Sequence, residues 1–210
     1  MHLRTMAACG LVALTAACAS SGSMQDGMPS ATMSNVGGTM WSDANVAAVG
    51  HASNMDEIET SRLALQRSQN AQVRQYAQQM IDEHMRVDQQ MMEMLRAKGM
   101  TMQPNEVAQA AMQATRQTLA NLSRRSGMDF DRAYMEHQVM SHRWTLTSLD
   151  RTLIPATRDA QMKGFLATTV RPAVAMHLQM AERMMGSMGG ATSGTMDHSG
   201  HNTSGTTRTP

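Results

Sequence analysis

The 210 residues carry 18 basic and 17 acidic side chains, so no net field is available to steer nucleic acid or an acidic substrate. Two cysteines, Cys9 and Cys18, exclude a two-disulfide framework. The chain also lacks a Gly-rich phosphate loop and a G-x-S-x-G nucleophile turn, which removes nucleotide-binding and serine-hydrolase readings.

Residues 1–18, MHLRTMAACGLVALTAAC, read as a secretory signal. Arg4 lies in a short polar start, and the apolar run that follows is too short to span a membrane. The ending TAAC has the small-small-Cys form of a lipoprotein cleavage box, with Thr15 where Leu is usual. The expectation is a lipidated Cys18; the alternative is an ordinary signal-peptidase cut nearby. Loss of the leader removes Arg4 and Cys9, so the mature chain is near neutral and holds a single thiol. Ala19 after the cysteine, rather than Asp, points an exported chain to the periplasm, anchored by lipid to the outer membrane. Residues 19–41 are rich in Ser, Gly, Thr and Met without hydrophobic period, and read as a flexible linker.

Residues 42–185 read as one domain long enough to bury a core. No alternating β-branched run or hairpin dipeptide occurs in it, and Ala, Gln, Met, Leu, Arg and Glu dominate. The first helix is expected over about 43–68, capped by Ser42 or Asp43. The second is expected over 71–98, with Asn70 as cap and Gly99 as terminator. A shorter helix follows Pro104, over about 105–124. The next begins after Gly127 and runs to about 153. Pro155 suits the first turn of a last helix reaching about 185, with Pro172 as a bend. In the second helix Val73, Ala77, Met80, His84, Val87, Met91 and Met94 fall on one face at 4-3 spacing. Similar stripes carry His142 in the fourth segment and His177 in the last. Four such helices make an all-α, ferritin-like four-helix bundle. The connection of roughly 30 residues between its second and third long helices holds the short extra helix and lets those two run parallel. Tyr76 and His84 in one of them echo Tyr134 and His142 in the other. Residues 186–210 read as a disordered Gly/Ser/Thr/His tail.

Bundle metal sites are built from inward residues of separate helices. Counting about 1.5 Å per residue puts His84, His142 and Glu57 at one height and His177 roughly 10 Å off it. The candidate metal ligands are therefore Glu57, His84 and His142, with His177 as an outlying fourth. Asp82 and Glu83 beside His84 face other ways around the helix. The Glu-x-x-His hallmark of di-iron bundles is absent, because Ile81, Val139 and Val174 stand three before the histidines. The alternative is a satisfied polar layer that sets helix register. The 25 methionines, several of them in the linker, together with His198 and His201 in the tail, offer soft-ion ligands in the flanks.

Three pieces resemble one family: EIETSRLALQRSQNAQVRQYAQQMIDEH at 57–84, FDRAYMEHQVMSH at 130–142 and RPAVAMHLQMAERM at 171–184. The chain resembles the exported bacterial helical family catalogued as domain of unknown function 4142. The resemblance implies a ferritin-like bundle in the cell envelope and carries no reaction or catalytic residue. The expected function is non-enzymatic: an envelope lipoprotein of structural or interaction type, engaging the membrane through its anchor and a protein partner or a second copy. Its alternative is binding or storage of a transition metal ion (copper, zinc or iron), the one cofactor the residues suggest. No nucleic-acid partner is expected.

Overall fold

A computed structural model describes residues 41–190. The expected leader with Cys18, nearly all of the linker, and the tail with His198 and His201 lie outside the described residues. Five helices fill the described span: α1 (Asp43–Arg67), α2 (Ala71–Ala97), α3 (Glu106–Leu122), α4 (127–156) and α5 (160–190). No strand occurs among the described residues, and no helix there is long and apolar enough to cross a membrane.

The helix ends follow local chemistry. Ser42 Oγ accepts from Asn45 N–H while the Asn45 side chain accepts from Ser42 N–H, a reciprocal cap that satisfies two otherwise orphaned donors. The Asn45 amide also donates to the Gln103 carbonyl at 2.7 Å, tying the loop after α2 to the start of α1. Asn70 and Asn105 cap α2 and α3 one way only, each side-chain oxygen accepting from backbone N–H groups of the first turn. Gly99 closes α2 at a φ of 63°, where a Cβ costs conformational energy. A Cβ built there meets nothing within 4 Å, so Gly99→Ala isolates the backbone penalty. It should lower stability by about 1 kcal/mol in urea unfolding; an unchanged midpoint would count against the left-handed geometry.

The long crossover sets the topology. Tyr76 meets Tyr134 with ring centroids 6.3 Å apart, and His84 meets His142 at 5.8 Å. Both pairs share one separation along the chain, so α2 and α4 run parallel with their expected echo in register. Short turns make α1 antiparallel to α2 and α5 antiparallel to α4. This is the up-down-down-up order of a ferritin-like bundle, and α3 packs on the outer side of α1.

Two prolines reshape the second half. Pro155 does not open the last helix; it lies in the final turn of α4. A proline there lacks an N–H and clashes with the carbonyl four residues back. The backbone answers with a π turn over Leu149–Leu153, in which Ile154 N–H reaches back to Leu149 C=O. α5 instead begins at Ala160 under an Asp159 cap. The same device recurs at Leu166–Val170, where Arg171 N–H bonds Leu166 C=O immediately before Pro172. Arg171 also pairs with Asp150, at 2.6 and 2.9 Å, joining the two widened turns. α5 then continues to Gly190, beyond its expected end near 185.

The core is divided. One apolar cluster holds Val46, Val49, Met91, Leu95, Leu149 and Leu166. The other holds Val73, Tyr76, Met80, Phe130, Tyr134 and Ala181. Each fully buried large side chain contributes about 1.5–3 kcal/mol to folding. Between the clusters lies a buried polar layer that includes Asp56, Glu57, His84, His137, Ser141, His142 and His177.

Candidate metal centre

Three helices bring one histidine each into that layer: His84 from α2, His142 from α4 and His177 from α5. Their ring centroids lie 5.3–5.8 Å apart. One nitrogen of each ring lies within 4.8 Å of the other two. The 10 Å offset expected for His177 does not exist. Its origin was the assumed helix start at Pro155. Counted from the real turn between α4 and α5, His142 and His177 stand at roughly 21 Å and 26 Å, within one helical turn of each other.

Hydrogen bonds fix the tautomer of every ring. His142 Nδ1 donates to the Gln138 carbonyl at 2.8 Å. His177 Nε2 donates to the Glu83 carboxylate at 2.7 Å. His84 Nδ1 donates to Asn54 Oδ1 at 3.0 Å, and the Asn54 amide is oriented by its NH2 donating to Asp88 at 3.3 Å. In each case the partner is an acceptor, so the N–H is spent there and the opposite nitrogen presents a lone pair. Those opposite nitrogens, His84 Nε2, His142 Nε2 and His177 Nδ1, are buried and have no partner among the described residues.

The electrostatics keep two of these rings uncharged. Burial pushes His84 well below the ordinary histidine value, and the neighbouring His142 and His177 push the same way. Burial and His142 also lower His177, against the opposing pull of Glu83. Burial would raise Glu83, but hydrogen bonds from Gln79 and His177 hold it below the ordinary carboxylate value. An uncharged imidazole oriented by a carboxylate, amide or carbonyl is the form that ligates a metal. Three nitrogens at about 2.0–2.1 Å from a tetrahedral zinc ion would stand roughly 3.3 Å apart. The rings therefore need to close in by at most about 1.5 Å.

Glu57, expected as a ligand, lies beside the cluster but outside it. Its Oε1 accepts from Ser141 Oγ at 2.6 Å and stands 3.6 Å from His142 Nδ1, whose proton already goes to Gln138. Its Oε2 is buried and unpartnered among the described residues. Asp82 is exposed, but Glu83, set aside in the sequence as facing away from the axis, reaches sideways to α5. Asn54 was also missed; it lies one helical turn before Glu57, opposite His84.

A second buried group adjoins the first. Asp56 accepts from His137 at 2.9 Å and from Thr115 at 2.9 Å, and it shares the single Ser141 hydroxyl proton, at 3.1 Å, with the closer Glu57 Oε1. Burial would raise Asp56, but the His137 charge and these hydrogen bonds hold it below the ordinary value. Burial opposes the charge on His137, and Asp56 raises it beyond that opposition. The tyrosines complete the layer's edge: Tyr134 pairs with Ser61 at 2.8 Å and Tyr76 donates to Gln138 at 3.1 Å.

A family model described as "Domain of unknown function (DUF4142)" matches residues 27–184. Comparison with curated proteins and with solved structures finds no match.

Proposed function

The chain belongs to the DUF4142 family, whose description assigns no activity, and we propose from the site alone that it binds one transition metal ion. The ligands are His84 Nε2, His142 Nε2 and His177 Nδ1. One observation carries the reading: three histidines that bring one nitrogen each within 4.8 Å of the others also each hold a buried nitrogen with no hydrogen-bond partner among the described residues. A register-setting polar layer would pair those atoms, because each buried unsatisfied group costs about 1–3 kcal/mol. Imidazole suits zinc, copper, iron and nickel, and a three-histidine set with an open position is a zinc arrangement. Zinc is therefore the first ion to test, and the absent Glu-x-x-His motif argues against di-iron chemistry. The protein is read as a binding protein, not an enzyme. An exported bacterial lipoprotein held at the outer membrane by Cys18 is part of the same proposal and rests on the sequence.

Titration of the metal-stripped chain with Zn(II), Cu(II) and Co(II) tests it. The expected result is one ion per chain bound tighter than about 1 μM. Loss of any one of the three histidines to Ala should weaken binding by more than about 100-fold. Weaker binding in the parent chain, or binding that survives all three substitutions and disappears with residues 191–210, would overturn the reading.

A further inference from the structure

The triad does not end in solid core. A cavity of about 210 Å³ reaches it, with His84, His142 and His177 among its walls. Exposed Arg86 and Gln90 on α2 and exposed Thr169 in the second π turn also line this cavity and mark its mouth. Between mouth and triad the walls are largely aliphatic, including Met91, Leu149, Leu166 and Val174. Two of those four come from the π turns. A widened turn carries an extra residue for the same length of helix and is a recurrent feature of functional sites. Here both widened turns supply walls to the cavity that the histidines also line.

We infer that this cavity binds a small monoanion with an apolar body, whose charged head takes the fourth position on the metal. The inference rests on the metal reading above and adds the ligand class to it. Three protein ligands leave a tetrahedral ion one place short. Glu57 Oε1 is engaged by Ser141, and its buried, unpartnered Oε2 lies outside the 4.8 Å cluster of histidine nitrogens. The place is therefore left to a molecule arriving through the mouth. Charge selects its head. A dication among neutral imidazoles, with the Glu57 and Glu83 carboxylates and the Arg86 guanidinium lining the same space, leaves one positive charge to balance. Arg86 at the mouth favours entry of an anion. Size selects its body. An apolar cavity of roughly 150 Å³ accommodates benzene, so this one has room for a single aromatic ring or a short branched chain.

The test uses the full chain loaded with Co(II), whose visible spectrum reports a change of ligand. Benzoate is the probe, with its neutral isostere benzamide and the ringless anion acetate as comparisons. Benzoate should alter the Co(II) bands saturably, at least about tenfold more tightly than acetate, because the ring is buried. Benzamide should leave the bands unchanged. Ala173 lines the cavity one helical turn before His177, so Ala173→Phe fills the space without removing a ligand. That variant should take up Co(II) as the parent does and lose the benzoate response; Ala173→Leu gives a milder version of the same comparison. Co(II) uptake with no response to benzoate, or an equal response to all three molecules, overturns this inference and leaves metal binding intact. A full benzoate response in the filled, Co(II)-loaded variant overturns the cavity as its place. Failure of the parent chain to take up Co(II) removes the metal reading and this inference with it.

Discussion

Replacing His137 by Leu should lower the domain's unfolding free energy by about 3–5 kcal/mol near pH 5.5. The cost comes from the partner left behind. Asp56 is buried where α1, α3 and α4 meet, and its charge is compensated by His137 at 2.9 Å. Thr115 and Ser141 supply hydrogen bonds but no charge. Without the imidazolium, Asp56 must remain as an uncompensated buried carboxylate or take up a proton, and either choice penalises the fold. The pH dependence has a definite sign. The raised value of His137 stabilises the fold fully below the ordinary 6.5 and loses that effect as pH rises through the folded value. The lowered value of Asp56 stabilises above the ordinary 3.8 and loses that effect as pH falls through the folded value. The difference between parent and variant should therefore peak between those limits and shrink on both sides. Urea unfolding of both proteins across that range measures it; a difference independent of pH would show that the pair is not charged.

Much of this layer was written in the sequence, but not all of it could be read there. The 4-3 stripe of α2 placed His84 inward without help from the rest of the chain, because helical period and burial coincide when one face meets the core. The shared spacing of Tyr76/His84 and Tyr134/His142 carried the parallel register of α2 and α4. His177 was misplaced because a proline after an apolar run reads as a helix start, whereas here the run absorbs Pro155 through a π turn. Hydrophobic period does not encode which carbonyl a given N–H reaches, so neither π turn was legible. Asp56, His137 and Ser141 were missed for a different reason. They face the seam between α1, α4 and α3, and burial on that side depends on the crossover helix covering it. The i, i+4 spacing of His137 and Ser141 was the available signal, though only contact with Asp56 gives it meaning. Glu83 shows the same limit: a residue off the inward face of its own helix can still orient a ligand on the next.

Zinc at a thousandfold excess over its dissociation constant should raise the unfolding free energy by about 4 kcal/mol, and chelation should reverse the gain. The ligands come from three helices far apart in the chain, so the unfolded protein has no comparable site. Glu83→Gln should reduce affinity by about 10–100-fold, since it weakens the acceptor that aims His177 Nδ1. His142→Leu separates a metal site from a structural polar layer. In the metal-free protein His142 Nε2 is a buried acceptor without a donor among the described residues, while its Nδ1 bond to Gln138 is local. Exchanging this ring for an apolar side chain removes an unsatisfied group. The metal-free stability should therefore change by less than about 1 kcal/mol or rise, while the zinc-dependent gain disappears. A residue kept for stability would behave in the opposite way, with a loss of several kcal/mol in the metal-free state and an undiminished response to zinc. Paired unfolding curves, with and without zinc, distinguish the two outcomes. The proposed metal site accounts for the expected pattern, because three buried nitrogens without partners among the described residues are a burden that a bound ion would relieve.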